Sequence, residues 1–162
     1  GQPNNPQNNP QPMMIFQTES FLRLLGWSAN DSLLFALADS PSQPATVSLF
    51  SIKINQLESR VDSKINSKGT EHQLGSFTDT YLANLHLSPN GRSVAFVKSL
   101  NGKNDIWITP VNGNQLGAPR KITSNGDSAY FFSSLAWSPD GKFIYYDKQT
   151  RVSQLTMIDR FN

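Results

Sequence analysis

The residues that could carry chemistry in this sequence are few. His72 and His86 are the two histidines, fourteen residues apart, and neither has the His-Glu-x-x-His spacing that sets two imidazoles around zinc. No cysteine is present, which removes disulfides, thiol nucleophiles and thiolate ligands. Serines are abundant, yet no Gly-x-Ser-x-Gly stretch offers the strained turn that exposes a hydrolase nucleophile. Asn101-Gly102-Lys103 and Ser124-Asn125-Gly126 read as isolated turn signals, not as a phosphate-cradling loop. Asn101–Asp105 carries several side-chain oxygens, but a lysine in the middle argues against calcium. Asp79, Asp105, Asp127 and Asp147 fall near expected strand ends, where carboxylates most often form turns. The reading is therefore no catalytic residue, no metal, no cofactor and no enzyme. What remains is recognition chemistry. Two short segments pair an acid with aromatics: Thr78-Asp79-Thr80-Tyr81 and Asp127-Ser128-Ala129-Tyr130-Phe131-Phe132.

The elements that must position these residues are short strands. The chain has 162 residues, 37% apolar and 16% charged, with the balance in Ser, Asn, Gln, Thr and Gly, as in turn-rich β proteins. Fourteen basic residues against twelve acidic leave a net charge of +2, scattered singly, so this segment has no basic stripe for nucleic acid. No apolar run approaches the roughly 18–20 residues of a membrane helix. Residues 1–12 are Gln, Asn, Pro and one Gly, which predicts a disordered, extended linker ahead of a folded domain over 13–162. The first residues, Gly1-Gln2-Pro3, lack a methionine, and the expectation is a signal peptide, membrane anchor or further domain upstream. Asn30-Asp31-Ser32 is formally a glycosylation sequon within an expected hairpin.

One phrase recurs fifty residues apart: Leu87-Ser88-Pro89-Asn90-Gly91-Arg92 and Trp137-Ser138-Pro139-Asp140-Gly141-Lys142. Each copy lies between apolar runs and predicts a tight hairpin, with Asn-Gly or Asp-Gly suggesting a type I′ turn that needs φ > 0 at both central residues. Trp27-Ser28-Ala29-Asn30-Asp31-Ser32 is a degenerate third copy, lacking the Pro and the Gly. Around these turns, strands are expected at 13–18, 21–28, 33–38, 47–54, 71–77, 81–88, 93–98, 105–111, 120–123, 132–138, 143–147 and 152–161. Between them, Asn55–Gly69 is polar, with Leu57, Val61 and Ile65 at a spacing that suits a short amphipathic helix. A strand–turn–strand unit at this period marks a repeat architecture of propeller blades.

The middle stretch resembles a blade of the TolB-like β-propeller family. The match runs through Leu87-Ser88-Pro89-Asn90-Gly91-Arg92, Val94-Ala95-Phe96, Asp105-Ile106-Trp107-Ile108 and Asn112-Gly113 to Pro119-Arg120-Lys121-Ile122-Thr123. It extends over residues 20–160, weakly in the first repeat. The resemblance implies an all-β fold of four-stranded antiparallel blades. It also implies a bacterial envelope setting, periplasmic or extracytoplasmic, and a non-enzymatic role in protein interaction or ligand sensing, for example in membrane-anchored regulators of transcription. The alternative it carries is an accessory propeller of a hydrolase or a polysaccharide lyase.

The expected strands make three blades' worth. Three blades do not close a ring, since propellers typically have about four to eight. Either the chain is the C-terminal part of a longer propeller, or two copies pair as a homodimer into a six-bladed ring, each lending residues 13–18 to the other's last blade. In propellers the connections between one blade's outer strand and the next blade's inner strand gather at the channel mouth. Asp79, Tyr81, Asp127, Tyr130 and Phe131 are thereby the candidate binding residues for a protein partner or small ligand.

Overall fold

In the computed structural model, residues 15–53, 71–124, 135–149 and 153–158 are described. The described residues form eleven β-strands and no helix. The linker, the stretch at 54–70 and the aromatic segment around Tyr130 lie outside them.

Strands follow one another as antiparallel neighbours. β1 (Phe21–Trp27), β2 (Ser32–Ala38), β3 (Ala45–Lys53), β4 (Glu71–Leu87), β5 (Ser93–Leu100) and β6 (Lys103–Asn112) form one path. The short β7 (Gln115–Leu116) and β8 (Arg120–Lys121) both pair with β6. β9 (Leu135–Trp137), β10 (Ile144–Gln149) and β11 (Ser153–Ile158) make a separate three-stranded sheet. Apolar residues alternate across these strands, as the two-residue period of a strand requires. Two cores result. Leu34, Ala36, Val47, Leu49, Leu74 and Phe77 pack against Leu85, Val94 and Phe96. Ala95, Val97, Ile106 and Ile108, from the opposite face of β5 and β6, pack against Leu135, Ile144 and Tyr146. The described strands can be taken as three groups (β1 to the first half of β4, the second half of β4 to β8, and β9–β11), with β5 and β6 covered on both faces.

β4 departs from the sequence reading. Strands were expected at 71–77 and 81–88 with a loop between, but one 17-residue strand runs through. Its first half pairs with β3 and its second half with β5, and Asp79 marks the corner with φ 55°. Backbone partners on both edges sustain the strand where side-chain alternation fails. The strand expected at 13–18 is not formed over Ile15–Thr18; the Phe16 ring instead lies 4.7 Å from that of Phe35.

The recurring phrase forms a turn of a different type from the one expected. Gly91 (φ 66°) and Gly141 (φ 73°) are left-handed, but Asn90 and Asp140 are not. Each is a type I turn with Pro at its second position, closed by Gly91 N–H to Ser88 O and Gly141 N–H to Ser138 O, both 2.9 Å. The serine ties the loop together. Ser88 Oγ donates to Asn90 Oδ1 at 2.8 Å and accepts from Ser93 N–H at 2.9 Å. Ser138 Oγ donates to Asp140 Oδ1 at 2.6 Å and accepts from Phe143 N–H at 3.0 Å. This bond, with the Lys142 N–H, holds the exposed Asp140 carboxyl below its usual pKa. In the degenerate copy Asp31 (φ 55°) takes the left-handed place of the glycine. Left-handed φ at two adjacent residues, the type I′ pattern, occurs instead at Asn101 (φ 52°) and Gly102 (φ 72°), between the paired Leu100 and Lys103.

A candidate recognition site at the strand-corner end

The strand pairings place Asp79 and Tyr81 at one end of the described strands. The serine turns begin β2, β5 and β10 at one end. Thr80, opposite Lys98, and the Asn101-Gly102 turn lie at the other. Asp79 is exposed on its left-handed corner, a conformation Asp tolerates because its short side chain bonds locally. The adjoining Thr80 is fully buried and donates its hydroxyl to Thr78 O at 3.1 Å, fixing the corner. Tyr81 is half-buried and packs against the second core. Its ring therefore braces the second core. Asp127, Tyr130 and Phe131 lie outside the described residues; of the five candidates the structure describes Asp79 and Tyr81.

The sequence reading missed a cation at this end, held beside Thr78. Lys98 Nζ donates to Thr78 Oγ1 at 3.4 Å and stands 5.9 Å from the centroid of the Trp107 ring, within cation–π range. Counting outward from Asn101-Gly102 pairs Lys98 with Asp105, so the turn dipeptide carried this signal. Asp105 itself is a clasp. Its carboxylate accepts from Lys121 Nζ at 3.1 Å and Thr123 Oγ1 at 2.9 Å, while Thr123 Oγ1 accepts from Ile106 N–H at 2.9 Å. The Asp-Ile-Trp and Lys-Ile-Thr stretches are thereby joined at the outer edge of β6.

Each histidine has a partner within the fold. His72 Nε2 lies 2.8 Å from Asn114 O. His86 is partly buried beside Arg23, which donates from Nε to Leu85 O at 3.0 Å and approaches His86 Nε2 at 3.5 Å from Nη2. Burial, and secondarily the Arg23 charge, push the His86 pKa down to about 4. An unfolded histidine titrates near 6.5, so between these values the unfolded chain binds more protons. The stabilising neutral imidazole is complete above the upper value and is lost as pH falls through the window. Urea unfolding of the chain and of His86→Gln should therefore diverge in pH slope between roughly pH 6.5 and 4. The histidine share is on the order of 2 kcal/mol after solvent screening. Parallel slopes would remove His86 from the account. Among the described residues, no group of three or more His, Cys, Asp or Glu could hold a metal ion.

Compared with solved structures, the chain aligns with TolB from Acinetobacter baumannii at a TM-score of 0.59 and 17% identity, over 96% of this chain. The fold is TolB-like. The putative TolB from Agrobacterium tumefaciens aligns at a TM-score of 0.55 and 22% identity, over 90% of this chain. The chain spans 34% and 44% of those two proteins. No family model matches the sequence, and no curated protein does.

Proposed function

We propose that this chain is a non-enzymatic β-propeller module, three blades of which are its strand groups, and that it binds a protein partner or small ligand through the strand-corner end. The TolB-like fold is the observation that carries this reading. The corner end supports it with exposed Asp79, Lys98 over Trp107 and half-buried Tyr81, which together offer both charges and aromatic surface on rigid strands. Asp127, Tyr130 and Phe131 follow β8 as Asp79 and Tyr81 follow the first half of β4, and they complete the site in this proposal. Its setting is extracytoplasmic, as the sensing part of an envelope protein or membrane-anchored regulator.

Conservative variants test the site without disturbing the stack. Asp79→Asn keeps a residue that tolerates left-handed φ, and Tyr81→Phe keeps the ring that packs on the core. Together they should reduce capture of the protein's partner from cell extract by about tenfold or more, as loss of charged and hydroxyl contacts in a binding centre does. Capture equal to that of the unaltered chain would discard the corner end as the binding surface.

A further inference from the structure

We propose that Asn101 is a site of spontaneous deamidation, and that the folded chain directs this chemistry to Asn101 and away from Asn90. The product is a new carboxylate at the end of the strands that carries Asp79 and Lys98. The proposal concerns the reactivity of Asn101 and does not rest on what that end binds.

The chemistry has two requirements. The asparagine side chain must be free to swing onto the main-chain nitrogen of the next residue, and that nitrogen must be free of a hydrogen bond. Glycine at the next position lowers the hindrance, because no Cβ stands beside the attacking nitrogen. The glycine nitrogen, having lost its proton to hydroxide, forms a bond to the asparagine Cγ. The bond from Cγ to the amide nitrogen breaks and ammonia leaves, which closes a cyclic imide. Water then opens the imide at either carbonyl. One opening gives aspartate, and the other gives isoaspartate, whose main chain runs through the side-chain carbon.

Asn-Gly occurs at residues 90–91, 101–102, 112–113 and 125–126, and the last pair lies outside the described residues. At Asn90 both requirements fail. Its Oδ1 accepts from Ser88 Oγ at 2.8 Å and from Arg92 N–H at 3.1 Å. The Gly91 N–H is committed to Ser88 O at 2.9 Å, and Gly91 itself is buried against the first serine turn. Asn112 is held less firmly. Its main chain pairs with Gln115, and its amide nitrogen lies where a Cβ on Gly117 would meet it at 3.1 Å. At Asn101 both requirements are met. Asn101 and Gly102 are exposed in a turn of left-handed φ, and a Cβ on Gly102 would meet nothing within 4 Å. Strand pairing closes at Leu100 and Lys103, which leaves the Gly102 N–H outside the ladder. Among the described residues, neither the Asn101 amide nor the Gly102 N–H has a hydrogen-bond partner.

The product alters this end in two ways. One carboxylate added to a net charge of +2 leaves +1, and the change falls between the paired strands that carry Lys98 and Lys103. Isoaspartate also lengthens the main chain of a tight loop, so Leu100 and Lys103 would no longer close it in the same register.

Incubating the folded chain at mildly alkaline pH and following tryptic peptides by mass over time tests the assignment. Asn90, Asn101 and Asn112 fall on different tryptic peptides, so each site is read separately. Asn101 should convert about tenfold or more faster than Asn90, whose amide must first give up its hydrogen bonds. In the chain unfolded by guanidinium chloride the two sites should convert at similar rates, because both are Asn-Gly. Ser88→Ala removes the hydroxyl that holds Asn90 Oδ1, and it should speed conversion at Asn90 while leaving Asn101 unchanged. Three results would each overturn the proposal: conversion at Asn90 or Asn112 as fast as at Asn101 in the folded chain, the same ranking in the unfolded chain, or no effect of Ser88→Ala on Asn90.

Discussion

Phe96→Ala should be among the most destabilising single substitutions in the chain, at about 3–5 kcal/mol, the range for truncating a buried phenylalanine. Phe96 is 1% exposed, stacks on Phe77 and sits in the core that joins the first two strand groups. A ring removed there leaves a cavity lined by Leu85, Val94 and residues of β2–β4 that paired strands hold apart. The loss should appear as a lower urea midpoint with an unchanged slope, measured at matched protein concentration because any association adds to apparent stability. A loss below about 1 kcal/mol would mean that this core is not packed as described.

Gly91→Ala should cost nearly as much, and for a different reason. A Cβ at Gly91 would lie 2.6 Å from Ala29 N and Trp27 O and 2.7 Å from Ser28 C, all backbone atoms of the first serine turn. That approach carries the Ala29 N–H to Gly91 O bond at 3.1 Å, which fastens the first turn to the second. Left-handed strain of about 1–2 kcal/mol adds to about 1–3 kcal/mol of overpacking. Gly141 has the same left-handed φ, but a Cβ there would meet only Pro89 Cδ at 3.9 Å, an ordinary contact. Gly141→Ala should therefore show the strain alone, about 1–2 kcal/mol. Equal losses at the two positions would show that the turns do not touch.

This contrast also shows where the sequence stops informing. Both phrases announce a loop with a left-handed glycine, and the glycines are left-handed. What distinguishes Gly91 from Gly141 is the neighbouring turn, which no local pattern encodes. The type I′ expectation failed because Pro at the second position and the serine hydroxyl favour a longer loop, while Asn101-Gly102, without a preceding proline, forms the two-residue turn. Asp79 could be read as a loop residue because polar Thr78, Asp79 and Thr80 interrupt alternation. Its neighbours across β3 and β5 nevertheless keep the strand continuous. Of the candidate residues, Asp79 is exposed, on a strand corner and not in the expected loop. Tyr81 was legible as an aromatic near a strand start, but its bracing of the second core depends on Leu135 and Ile144, more than fifty residues away.

The strand corner connects fold to function. A recognition surface made of strand corners is rigid where paired strands hold it, and the Asp79 corner is held by β3 and β5 on its two edges. Partner capture from cell extract by the Asp79→Asn, Tyr81→Phe chain beside the unaltered chain tests the proposed site most directly. The account predicts a loss of about tenfold or more. Equal capture by the two chains would contradict it.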